Sequence, residues 1–172
     1  MKDRRGFTLI EIMIVIAIVG IVAIIATTNF SSWQNHYSSV GFQREFFSLC
    51  NQARTRSMAS SLQQRLRIDN NAETVVLEQG NAGTGSTVWV NAAPQINGTR
   101  GAGINDIVSV PPYSSPTALL FNPNGEVLVQ VGTVVSPITQ ADIHLSAASV
   151  ADQATIRVFG WTSKARLFNG WN

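Results

Sequence analysis

The sequence predicts an α+β protein, with a long N-terminal helix that spans a membrane in its first half and packs on a C-terminal antiparallel β-sheet domain. Three observations carry this. Residues 7–26 hold seventeen apolar residues out of twenty, with Glu11 as the sole charge. Residues 27–60 contain no proline, and Gly41 is their only weak helix breaker. Beyond residue 60, short β-branched and alternating runs separated by Asn, Gly and Pro replace the helical pattern.

Each element follows from local chemistry. As a helix, residues 7–26 extend about 30 Å, the thickness of a bilayer's hydrocarbon core. Ahead of them, Lys2, Arg4 and Arg5 outweigh Asp3, so residues 1–6 are expected to stay in the cytoplasm and everything after residue 26 to be exported. A cleavable secretory signal fits poorly, because the apolar run exceeds the usual ~7 to 15 residues and no small-x-small site follows it. Glu11 is the anomaly. A carboxylate inside a bilayer costs ~2.5 to 3.5 kcal/mol on insertion scales, so it calls for a partner or a place at the membrane edge.

The amphipathic continuation, residues 27–60, has two apolar stripes. Phe30, Trp33, Tyr37 and Val40 share one face; Phe42, Phe46, Phe47, Leu49, Cys50 and Ala53 share roughly the opposite one, so the apolar face switches near Gly41. We read the first stripe as facing neighbouring helices and the second as packing on the chain's own sheet. Periodicity alone equally allows both to pack within one fold. Strands are expected at 62–69 and 73–79, as a hairpin about Asn70-Asn71, and then at 104–110, 118–121, 126–131, 142–146, 155–159 and 165–168. Asn122-Pro123-Asn124-Gly125 is a strong turn signal, and residues 160–164 form a weaker one. The Gly/Asn/Thr-rich stretch up to residue 103 reads as a mobile connection with at most a short strand at 87–90. The chain thus divides into 1–6, 7–26, 27–60 and a β-rich globular domain at 61–172.

Composition narrows the chemistry. The chain has 172 residues, enough for one sizeable domain. One cysteine, Cys50, excludes an intrachain disulfide and cysteine-built zinc sites, and its place on the second stripe makes it a small buried hydrophobe. His36 and His144 stand apart from any His/Cys cluster, and no nucleophile elbow, phosphate loop or calcium loop is present. No enzyme activity, cofactor or metal is therefore predicted. The net charge is +2 with a pI near 9.1. Removing residues 1–6 leaves nine basic and nine acidic side chains, so the basic pI is mostly a topology signal.

Gly6-Phe7-Thr8-Leu9-Ile10-Glu11, between a basic leader and an apolar helix, resembles the N-terminus of type IV prepilins and type II secretion pseudopilins. The resemblance implies that a prepilin peptidase cuts between Gly6 and Phe7, that Phe7 becomes an N-methylated terminus, and that Glu11 assists assembly with other subunits. It also implies a pilin-like fold, insertion in inner-membrane lipid and later transfer into a filament. Residues 53–59, Leu66-Arg67-Ile68, the Leu119-to-Val127 hairpin and the final strand pair are similar to FimT/GspH-like minor pilins. There are two departures: Thr28 stands where many pilins have proline, and the C-terminal disulfide of many major pilins cannot form. A structural minor subunit that primes assembly is the leading expectation. The alternatives are a DNA-binding minor pilin, a major pilin, and an uncleaved membrane-anchored exported domain.

The DNA reading rests on local charge. Five arginines and one acid between Arg44 and Arg67, and Arg157, Lys164 and Arg166 near the C-terminus, flank an acidic middle. Arg157, Lys164 and Arg166, with Trp161 and Trp171 nearby, offer charge and stacking surface for a nucleic-acid backbone.

Overall fold

A computed structural model describes residues 7–171 of the chain. They divide into two compact units that meet between Gln34 and Asn35. Helix α1 runs Leu9–Ser60. Thr8 caps it in a T-x-x-E box: the Glu11 backbone N–H donates to the Thr8 hydroxyl at 3.3 Å, and the Thr8 N–H donates to the Glu11 carboxylate at 3.4 Å. It ends where Ser61 takes a left-handed conformation, φ 56°, which terminates the intrahelical ladder.

In the first unit the apolar side chains from Leu9 to Ile24 are exposed on every side of the helix. Such a surface is stable only against lipid or other helices. Among the described residues no helix is long and apolar enough to cross a membrane. The described apolar side chains, Leu9 to Ile24, span about 24 Å at 1.5 Å per residue.

In the second unit the strands are β1 (Gln64–Asp69), β2 (Thr74–Gly80), β3 (Trp89–Asn91), β4 (Ile96–Asn97), β5 (Gly103–Val110), β6 (Ala118–Phe121), β7 (Val127–Val131), β8 (Val134–Pro137), β9 (Gln140–Ser146), β10 (Ala154–Phe159) and β11 (Ala165–Asn169). They form two antiparallel sheets. One has seven strands in the order β3-β2-β1-β6-β7-β8, with β4 also paired to β2; the other has four, β11-β10-β9-β5. The expected β domain is therefore split, and adjacent sequence does not decide the split: β5 leaves the first sheet's hairpins to pair with β9, 30 to 43 residues on, from Gly103↔Ser146 to Val110↔Gln140.

The second stripe of α1 seeds the core. Phe42, Phe46, Leu49, Cys50 and Ala53 are buried, with Phe47 packed at the edge, against Leu66, Leu77, Leu119 and Phe121 of the first sheet and Ile143, Leu145, Ile156 and Val158 of the second. Phe30, Trp33 and Tyr37 of the first stripe are exposed, and Val40 is half-buried. The expected switch near Gly41 is thus present.

Turn chemistry sets several registers. The β6–β7 turn places Gly125 at φ 87°, a conformation that glycine reaches without steric cost. Gly125 N–H donates to the Asn122 carbonyl, and Asn124 Oδ1 accepts from Glu126 N–H. In the β1–β2 turn, Asp69 Oδ1 accepts from the backbones of Asn71 and Ala72.

Two expectations are corrected. The stretch to residue 103 holds two strands, β3 and β4, and is fastened by specific bonds. Asn81 Oδ1 accepts from Thr87 and Val88, Ser86 closes on Ala82, and Arg56 donates to the Ala92 carbonyl. Its composition reads as loop because most of these ties are short-range side-chain bonds of Asn and Ser, residues that also mark turns, and only Arg56 reaches in from 36 residues away. The second correction is β8, which was not expected. It is an edge strand made by pairing with β7 through a turn at Gly132, and its four residues carry too little pattern to read alone.

Candidate functional site

The N-terminal candidates lie where helix start and apolar surface meet. Gly6, with the rest of 1–6, lies outside the described residues. Phe7 is exposed just ahead of the cap. The Glu11 carboxylate leans back toward the chain start to reach the Thr8 N–H. The capping box therefore aims the only charge of the apolar run at the end where a cut after Gly6 would create an amine. A carboxylate so placed also complements the positive end of the helix dipole.

The β domain places the other candidates on two strands and the turn between them. Arg157 on β10 sits opposite Asp142 on β9 and Arg166 on β11, one row across the sheet. Arg157 is committed to Asp142: its Nε and Nη2 donate to the two carboxylate oxygens at 2.7 and 2.9 Å. The bidentate hydrogen bond holds the guanidinium above its ordinary range, against a weaker opposing effect of burial. Its plane also lies over the Phe168 ring, at 5.3 Å. Arg166 is exposed over Phe159 at 5.9 Å, and Lys164 is exposed in the β10–β11 turn. The three cations are thus neighbours, but Arg157 is neutralised, leaving two for an acidic ligand.

Part of the remaining charge is internally organised in the same manner. Glu78, buried on β2, takes hydrogen bonds from both Arg65 and Arg67, and Arg65 stacks over Trp89 at 4.2 Å. Two of the five arginines of segment 44–67 are thereby paired with one acid from the middle of the chain. Each histidine meets an aspartate. His36 reaches Asp152 at 2.7 Å, and His144 pairs with Asp106 while Trp171 stacks on its ring at 5.7 Å. Sequence reasoning missed these partners, since nothing local marks a residue 116 positions away.

Among the described residues no group of three His, Cys, Asp or Glu side chains is arranged to hold a metal ion. A cleft of about 660 Å³ lies between the β1–β2 turn, β5 and residues 115–117. Its two aspartates are already engaged, Asp69 by its own turn and Asp106 by His144. Cys50 is buried, and desolvation pushes its thiol up to about 12. It should stay unmodified by iodoacetamide at pH 8 in the native protein and react once unfolded, which mass spectrometry would read. Ready native alkylation would place it elsewhere than the core. Because its folded value is raised, its neutral form stabilises the fold fully below its ordinary value near 9. That contribution is lost as pH rises toward about 12.

Residues 1–27 match the family model of the prokaryotic N-terminal methylation motif. No curated protein sequence matches the chain. Among solved structures, the fold is similar to that of the minor pseudopilin EpsH from the type 2 secretion system of Vibrio cholerae. The TM-score is 0.53 at 16% identity, over 77% of this chain and 97% of that one. That likeness is one of fold; the motif is the independent signal at the other end of the molecule. The chain thus joins a prokaryotic N-terminal methylation motif over residues 1–27 to a helix-and-sheet fold similar to that of a minor pseudopilin.

Proposed function

We propose that the chain is a structural minor subunit of a type IV pilus or type II secretion pseudopilus, without catalytic activity, of the FimT/GspH-like kind. The observation that carries this reading is the methylation motif set directly on a capped helix whose apolar side chains are exposed all round. In this reading residues 7–26 sit in the inner membrane, with 1–6 in the cytoplasm and the β domain outside. A prepilin peptidase removes 1–6, Phe7 is methylated, and the helix then leaves lipid for a bundle of other subunits' helices. That exchange is physically mild, because one apolar environment replaces another. Priming of assembly belongs to the same reading. So does the boundary near residue 60, beyond which the β domain faces outward.

Glu11 supplies the register. The amine created on Phe7 and a carboxylate on a neighbouring helix each lose water on entering the bundle. Pairing relieves both, whereas a subunit displaced by one turn leaves both unpaired. The direct test is mass spectrometry of the N-terminal peptide from membranes of peptidase-positive and peptidase-negative cells. The expected result is a chain beginning at N-methylated Phe7 in the first and at Met1 in the second. A chain that keeps residues 1–6 in both would leave an uncleaved anchored domain instead.

A further inference from the structure

Helix α1 contains a glycine at position 41 that nothing in the structure demands. A Cβ built there would meet no atom within 4 Å, and its backbone is helical. Glycine at a helix interior costs stability relative to alanine, because it has more backbone freedom to lose. The residue stands where the helix changes its mode of attachment. From Phe42 onward it is held by the buried stripe Phe42, Phe46, Leu49, Cys50 and Ala53. Upstream, two polar ties end on two loops. Ser38 donates to the Thr99 carbonyl at 2.8 Å and lies as close to its hydroxyl, and His36 reaches the Asp152 carboxylate at 2.7 Å.

Asp152, in the short 3-10 turn Val150–Asp152, holds the helix on both sides of the glycine. Its carboxylate takes His36, and its backbone carbonyl accepts from Gln43 Nε2. These two positions lie seven residues apart, two turns along one face. One further feature loosens the same turn. Ser39, two residues before the glycine, donates its hydroxyl to the Asn35 carbonyl four residues back, a bond that competes with the helix ladder and favours bending.

We propose that Gly41 is a hinge in α1, kept closed in the free subunit by Asp152 and by the Thr99 loop acting as clasps. Opening breaks the polar contacts of His36 and Ser38 and lifts the buried Ser39 and half-buried Val40, while the apolar core from Phe42 onward is kept. The segment carrying His36 and Ser38 then swings away while the part from Phe42 stays in place. The hinge stands on the geometry of the β domain with its helix; its use, letting a subunit bend to meet its neighbours, rests on the assembly reading above.

Amide hydrogen exchange on the full chain in detergent micelles tests it. With Asp152→Ala and Ser38→Ala combined, amides 37–41 should exchange at least tenfold faster, while those of 46–57 keep their protection. Adding Gly41→Ala should restore most of the protection at 37–41. Should the combined variant fold poorly, His36→Gln with Ser38→Ala removes the same clasps from the helix side, and the same pattern is expected. Unchanged exchange at 37–41, an equal rise at 46–57, or no rescue by alanine would each overturn the hinge. None of these outcomes depends on filament incorporation, so a failed assembly reading would be seen separately.

Discussion

Glu11→Val subunits should reach the membrane and be processed like wild type, yet be depleted from filaments by about a hundredfold or more. The substitution removes a charge that costs ~2.5 to 3.5 kcal/mol at the centre of a bilayer, so insertion itself should not suffer. What is lost, on the assembly reading proposed above, is the counterion for the Phe7 amine of a neighbour. Leaving one partner of a buried pair alone costs about 3 to 5 kcal/mol, and each 1.4 kcal/mol is about a factor of ten. The capping box makes a second reading of such a defect available, since Glu11 also accepts from the Thr8 N–H. Glu11→Gln separates the two, because an amide oxygen keeps the cap while the charge is gone. Membrane fractions compared with sheared filaments, blotted for the subunit, give the measurement. Glutamine subunits depleted as strongly as valine ones would assign the role to charge. Ordinary incorporation of the glutamine variant would remove it.

Phe46→Ala is expected to destabilise the β domain by about 3 to 5 kcal/mol, lowering its melting temperature by roughly 10 to 20 °C. Phe46 is fully buried and meets Phe42 edge-on at 6.2 Å in the core shared by the helix and both sheets. Truncation therefore loses transfer energy, packing and an aromatic contact at once. Phe30→Ala makes the internal control. Phe30 is exposed on the first stripe, and its loss should stay within about 0.5 kcal/mol. Thermal unfolding of the purified protein followed by circular dichroism compares the two. Equal shifts would mean that both stripes support the fold, and the division near Gly41 would lose its meaning.

The candidate site at the chain start was legible because each part of it is local. A basic leader, a Gly-Phe junction, a Thr-x-x-Glu cap and an apolar run are adjacent in sequence, and their physics acts over one or two helical turns. The helix and most strands were legible for the same reason, period and turn residues being short-range signals. Gly125, at its left-handed φ, is a case where one residue type announces the backbone it will adopt.

The basic patch was legible only as composition. Arg157, Lys164 and Arg166 look alike along the chain, and it is strand pairing that sets Asp142 opposite Arg157 and leaves the other two exposed. Net charge therefore overstated what the surface offers an acidic partner.

The sequence by itself determined a methylation-type motif at residues 1–27, a long helix whose apolar face turns over near Gly41, and β structure after it. The tertiary structure alone decided that the β structure is two sheets, that short β4 and β8 exist, and that Asp152 braces the helix across a glycine. The division has one physical cause. Propensity, capping and periodicity act between neighbours in sequence, whereas strand partners and counterions are chosen by whichever groups the packed core brings within a few ångströms.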